Sequence, residues 1–237
     1  MQGLFLSISS FVSNIFGGQE LVDMLLSVPA VLLGICCHEY AHARAAYQLG
    51  DPTAKDCGRM TLNPAKHFHP IGFLMLVFAH VGFARPVPVN PYNFKNRKRD
   101  DILVSLAGPA ANVLLAILFT LILKGFIFYC RQQGMFVEFG GSYYFLKDWT
   151  YYVYLALMYG VMIDLSLAIF NLLPIPPLDG SHLFLVLMPD SWRPGYSRIQ
   201  PYLPYVFLVL WLAGGLSWLV SRPLNMLMDL IMNYVIL

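Results

Sequence analysis

The sequence predicts an all-α polytopic membrane protein with about four main transmembrane helices, a re-entrant β-hairpin and interfacial helices at both ends. Three observations lead there. Hydrophobic residues make up 58% of the 237 and charged residues only 12%, against about 25% charged in soluble chains. Several apolar runs reach the roughly twenty residues that a bilayer crossing needs. Between them lie polar stretches rich in Pro, Gly, Lys and Arg. The chain reads as one membrane domain over 1–237, with an amphipathic helix at 1–18, a core at 20–190 and C-terminal helices at 202–237.

The elements follow in order. Leu4, Phe5, Ile8, Phe11, Val12, Ile15 and Phe16 recur at helical spacing among Ser and Asn, so the first helix is expected to lie on the bilayer. Met1–Phe16 holds no Lys or Arg, which excludes the basic start of a cleavable signal. Leu21–Leu49 is a long helix closed by Gly50-Asp51-Pro52. Ile71–Ala84 is apolar but, at about fourteen residues, too short to cross. Its β-branched and aromatic content with Gly72 and Gly82 suits a re-entrant hairpin. Ile102–Tyr129 is the second span and Trp149–Leu173 the third, broken by Pro174, Pro176 and Pro177 within "NLLPIPPLDG". Tyr202–Val220 is the expected fourth. After Pro223, Asn225, Asp229 and Asn233 form one polar stripe, so the tail is expected at the interface.

Basic residues set the orientation. Segments 53–70, 85–101 and 190–201 carry most of the Lys and Arg and are expected on the cytoplasmic side; the segment from Arg131 to Lys147 falls outside. The net charge of +2 argues against a nucleic-acid partner. Cys36, Cys37, Cys57 and Cys130 form no C-x-x-C pair, and the first two read as packing residues. The lipid bilayer is the one partner that composition names.

One segment does not suit its surroundings. "ICCHEYAHARAAYQLGD" (35–51) carries His38-Glu39-Tyr40-Ala41-His42, an H-E-x-x-H pattern, on an apolar helix. Residues four apart share a helix face, so His38 and His42 can grip one metal. Glu39 is placed to take a proton from an attacking water. Counting back from Gly50, the two histidines lie about 12 and about 18 Å down the helix. Polar groups at that depth are costly unless used. A catalytic zinc usually takes three protein ligands, and Asp179, in the proline-broken stretch, is the candidate third. The alternative for Asp179 is a helix N-cap ahead of Ser181–Met188.

Five segments together, "HEYAHA", "GDPTAKDCGRMTLNP", "GFARPVPVNPYNF", "LAGPAANVLLA" and "NLLPIPPLDGSHLF", resemble the site-2 protease family of intramembrane zinc metalloproteases. The likeness is to its small prokaryotic branch without PDZ or CBS domains and covers roughly residues 20–190 in order. It implies one zinc per chain on His38, His42 and Asp179, Glu39 as catalytic base, and a transmembrane protein substrate cut near the cytoplasmic side. It also implies a multi-pass protein of the prokaryotic plasma membrane. Asn112 and Asn171 match asparagines near that family's active site; either amide could hold substrate backbone or the oxyanion, and helix-packing glue is the alternative. His69 stands where the resemblance implies an acidic residue, and Asp164, deep in the third span, needs a partner such as Arg44 or a place facing the cavity.

Two other classes compete: a zinc transporter with a midplane site, and a catalytically inactive scaffold. The spans are otherwise poor in His, Asp and Glu, which disfavours a transport path, and Glu39 disfavours a dead site. In "GFARPVPVNP" the alternating Pro86 and Pro88 lack N–H groups, while Val87 and Val89 present amides along the other edge. That edge is expected to take up unwound substrate by strand addition, unless the Phe73–Phe78 arm of the hairpin already fills it.

Overall fold

The structure is a computed structural model that describes residues 18–67, 69, 85–139, 142–213 and 215–236. In chain order come α1 (Gly18–Gln48), α2 (Thr53–Asp56) and α3 (Pro64–His67), then α4 (Arg97–Gln132). A strand pair, β1 (Phe136–Phe139) and β2 (Ser142–Phe145), leads to α5 (Asp148–Asn171). Beyond it lie α6 (Asp179–Leu187), α7 (Arg193–Ile199), α8 (Leu203–Leu212) and α9 (Gly215–Ile236). The expected N-terminal helix and the hairpin over Ile71–Ala84, with its Phe73–Phe78 arm, lie outside the described residues.

Among the described residues, three helices are long and apolar enough to cross a membrane, and they are α1, α4 and α5. They pack against one another as a trio. Each end is set by local chemistry. Gly50 turns α1 off at φ 105° while the Asp51 N–H returns to Ala46 O at 2.9 Å, a glycine-closed helix end. At the start of α4, Asn96 Oδ1 accepts the Arg99 N–H and Asp100 Oδ2 accepts the Asn96 N–H, a reciprocal capping box.

The expected fourth span does not form as one helix. Over Tyr202–Val220 the chain makes α8, ten residues long, or about 15 Å. That is half of the roughly 30 Å of hydrocarbon. That helix ends at Leu212, and α9 runs from Gly215 for 22 residues. Nor does the tail sit apart from the core. Leu224, Met228 and Ile231 of α9 pack against Ala116, Val161 and Leu165, and Val235 joins Leu123, Ile127 and Cys130. The apolar stripe wins because α4 and α5 offer it a complementary face, and Asn225, Asp229 and Asn233 point outward.

The strand pair β1–β2 was not expected. Phe136 pairs with Phe145 and Phe139 with Ser142, so only Gly140-Gly141 of the sequence lie between the strands. That is a two-residue hairpin signature. The Phe136 and Phe145 rings pack at 5.1 Å and close the core at this end.

Candidate metal centre

Three separated segments meet at one point. His38 and His42 lie one turn apart on α1, both buried. Asp179 opens α6, delivered by the proline-broken stretch after α5, which includes a cis peptide bond between Pro176 and Pro177. The turn is tight. A Cβ on Gly180 would fall 2.2 Å from Leu172 O, so only glycine lets the chain fold back here. Asp179 Oδ2 then sits 3.1 Å from His38 Nε2 and 3.2 Å from His42 Nε2, and those two nitrogens are 3.0 Å apart.

The protons around the rings can be assigned from their partners. His42 Nδ1 lies 2.7 Å from Val104 O, a carbonyl that can only accept, so Nδ1 carries the proton. His38 Nδ1 lies 2.7 Å from Asn112 Oδ1. The Asn112 amide is oriented because its Nδ2 donates to Gly34 O at 3.1 Å and to Asp164 Oδ1 at 2.8 Å. Its oxygen therefore faces His38, which must donate from Nδ1. Both Nε2 atoms are left as lone pairs pointing at each other and at a carboxylate. Three acceptors at such distances repel unless a cation lies among them.

The donor set fits zinc. Two neutral imidazoles and one carboxylate are the ligand chemistry of a catalytic site with an open position. α4 passes with Gly108 against the Nε2 edges of both rings. A Cβ there would come within 2.3 Å of His42 Nε2 and 2.6 Å of His38 Cε1. The bare backbone of Gly108 is thus part of the site. It lies in "LAGPAANVLLA", where nothing in the spacing marks it as a wall of the site.

Glu39 is half-buried beside His38, and its Oε2 accepts the Val87 N–H at 2.8 Å. The segment carrying Val87 is pinned at both ends. Arg59 Nη2 donates to Arg85 O and, at 3.3 Å, to Pro86 O. Asp51, fully buried, accepts from Asn90 N and Asn93 Nδ2 at 2.7 Å each, and from Thr53. Burial alone would raise the Asp51 pKa, but the hydrogen bonds from Thr53, Asn90 and Asn93 outweigh it and hold the carboxyl below its usual range. "GDPTAKDCGR" is the clamp that holds "RPVPVNPYN" over the centre.

The other expected residues divide. Asn112 is completely buried, and both its amide hydrogens and its oxygen are engaged. It has no donor left for a substrate carbonyl or oxyanion, and its place is behind His38. Asn171 sits at the end of α5 with Nδ2 donating to Leu167 O at 2.9 Å, one amide hydrogen still unspent among the described residues. Val87 gives its amide to Glu39 in this conformation; the Val89 amide has no partner among the described residues, while its side chain packs near Ala46 and Phe94. Asp164 meets Asn112, not Arg44. His182, on α6, pairs with Asp101 of α4 at 3.4 Å.

Residues 27–214 match Peptidase family M50. The chain is 36% identical over 198 residues to "Putative zinc metalloprotease YwhC" of Bacillus subtilis (strain 168), covering 84% of this chain and 85% of that protein. It is 31% identical over 162 residues to "Putative zinc metalloprotease Rip2" of Mycolicibacterium smegmatis, 66% of this chain and 54% of that one. To the protein of the same name in Mycobacterium tuberculosis (strain H37Rv) it is 31% identical over 193 residues, 78% of this chain and 66% of that one. No solved structure matches.

Proposed function

From a chain that belongs to peptidase family M50, the site-2 proteases, we propose a zinc-dependent intramembrane endopeptidase that cuts a partner's transmembrane segment near the cytoplasmic side. One zinc per chain is held by His38, His42 and Asp179, and Glu39 is the base. The observation that carries this reading is the convergence of three lone-pair donors, with Glu39 one residue from the first. A bacterial plasma membrane suits the three apolar helices and the bacterial relatives. The asymmetry of Lys and Arg between the loops supports the cytoplasmic assignment.

When bound, zinc supplies a Lewis acid that polarises the scissile carbonyl and acidifies water. The chain supplies the rest. Before substrate arrives, the Val87 N–H holds Glu39 Oε2; once that N–H turns to a substrate carbonyl, the freed carboxylate takes the proton of the attacking water. Glu39 then passes that proton to the leaving amide nitrogen. Asn171 keeps an amide hydrogen for a substrate carbonyl.

Segment 85–90 is the arm assigned to substrate. The Val87 amide already points at the centre, and in extended backbone the Val89 amide points the same way. A substrate carbonyl arriving at Val87 takes its N–H from Glu39, so strand addition and release of the base become one event. Val87→Pro, which removes the N–H, should lower cleavage at least about tenfold with zinc retained, while Val87→Thr is mild. Equal activity of Val87→Pro and wild type would end this part of the reading.

Single-span reporter peptides in proteoliposomes test the whole. Glu39→Gln should lose at least about 100-fold in cleavage and keep its zinc; Asp179→Ala should lose both. A Glu39→Gln enzyme that still cuts would remove the base. Full zinc occupancy in Asp179→Ala would remove the third ligand.

A further inference from the structure

Asp164 is a carboxyl group at 0% exposure in the middle of α5. Its Oδ1 accepts from Asn112 Nδ2 at 2.8 Å, and its Oδ2 is buried with no hydrogen-bond partner among the described residues. An acidic group in that position is expensive to bury half-satisfied, and cheaper apolar residues would fill the same space. What it touches decides what it is for. The hydrogen bonds run from Asp164 to the Asn112 amide, and from the Asn112 oxygen to His38 Nδ1. We propose that Asp164 is a positioning residue for the zinc ligand His38, acting through Asn112. This deepens the metalloprotease reading and rests on it.

The argument turns on which way round the Asn112 amide sits. With its oxygen on His38, that ring must carry its proton on Nδ1 and offer the Nε2 lone pair to the metal. Turned over, the amide nitrogen would face the ring and demand a lone pair from Nδ1. The proton would move to Nε2, and the ligand would be lost. Two acceptors forbid the turned form, because Gly34 O and Asp164 Oδ1 would both confront the amide oxygen. Without Asp164, one acceptor remains, and the amide orientation is held by a single bond. A ligand histidine is usually oriented by a carboxylate or carbonyl directly; here the carboxylate acts one amide removed. Gly34 makes room for the arrangement. A Cβ on Gly34 would fall 2.8 Å from Asp164 Oδ1 and 3.5 Å from Asn112 Nδ2.

The test is a zinc-affinity cycle on full-length protein in detergent, read by competition with a chromophoric chelator. Asp164→Leu should weaken zinc about 10- to 100-fold. Asp164→Asn, which can still accept from Asn112, should stay within about threefold of wild type. If the effect passes through Asn112, adding Asp164→Leu to Asn112→Leu should cost less than about a further threefold. Gly34→Ala, which displaces the carboxylate without removing it, is a second arm that leaves Asp164 in place and should weaken zinc in the same range. Unchanged affinity in both Asp164→Leu and Gly34→Ala overturns the proposal. So does a full multiplicative loss in the double variant, which would make Asp164 merely structural. A wild-type chain that binds no zinc at His38 and His42 would instead refute the metalloprotease reading itself.

Discussion

Adding one methyl group at Gly108 should empty the metal centre while leaving the helices in place. The added carbon would sit 2.3 Å from His42 Nε2 and 2.6 to 2.7 Å from His38 Cε1 and Nε2. Comfortable contact needs about 3.5 Å, so either α4 retreats or both rings swing by about 1 Å. Zinc ligands tolerate about 0.2 Å. Overpacking of this kind costs about 1 to 3 kcal/mol, and at about 1.4 kcal/mol per decade zinc affinity should fall about 10- to 100-fold. Gly125, on the same helix, is the control, because a Cβ there meets nothing within 4 Å. The assay pairs chelator competition with a thermal melt of each variant. Gly108→Ala should bind zinc about 10- to 100-fold more weakly, lose cleavage and still melt in one cooperative transition, lowered by no more than a few degrees, and Gly125→Ala should match wild type in all three. Wild-type zinc affinity in Gly108→Ala would refute the idea that the backbone of α4 walls the site.

Asp51→Ala should untie the Asn90 end of the arm over Glu39, lowering cleavage about 5- to 20-fold with zinc unchanged, as a rate assay beside the chelator titration would read. Because the Asp51 pKa is held below its usual range, its anchoring is present above about pH 4 and is lost only as pH falls through the lowered value. A rate change between about pH 5 and pH 8 that vanishes in Asp51→Ala would contradict this sign. For topology, with Cys57 replaced by serine, Asn96→Cys should label from the cytoplasm and Gln133→Cys from outside. Labelling of both from one face would mean that α4 does not cross.

Much of this was legible in the sequence because it is local. His38, Glu39 and His42 lie within five positions, so helical spacing alone puts the two rings on one face. The prolines after Asn171 announce a broken helix, and Asp179 stands at its restart. What periodicity could not show is which face of α4 meets which residue, since that helix is apolar around most of its circumference. Gly108 and Asn112 were visible as a motif, but their duties depend on contacts with α1 that no spacing encodes. The same holds for Asn112 as substrate binder. An amide in the right neighbourhood was readable, whereas the two acceptors that use up its hydrogens were not. The expected fourth span is divided between α8 and α9, and hydropathy over Tyr202–Val220 is continuous, so it carries no mark of where one helix ends and the next begins. The β1–β2 hairpin had a readable signal, the Gly140-Gly141 pair between alternating aromatics, overshadowed by the long apolar runs on either side.

The division of the centre between α1 and α6 has a consequence for synthesis. The two histidines leave the ribosome early, and Asp179 is added only after α4 and α5 have been made. At about 5 to 20 residues per second, the interval is on the order of ten seconds. During that time the nascent chain carries His38, Glu39 and His42 but not Asp179, in a membrane crowded with other newly inserted segments. Under the proposed mechanism, Asp179 reaches the two histidines only when the third long helix is in position, so completion of the fold is itself the activation step.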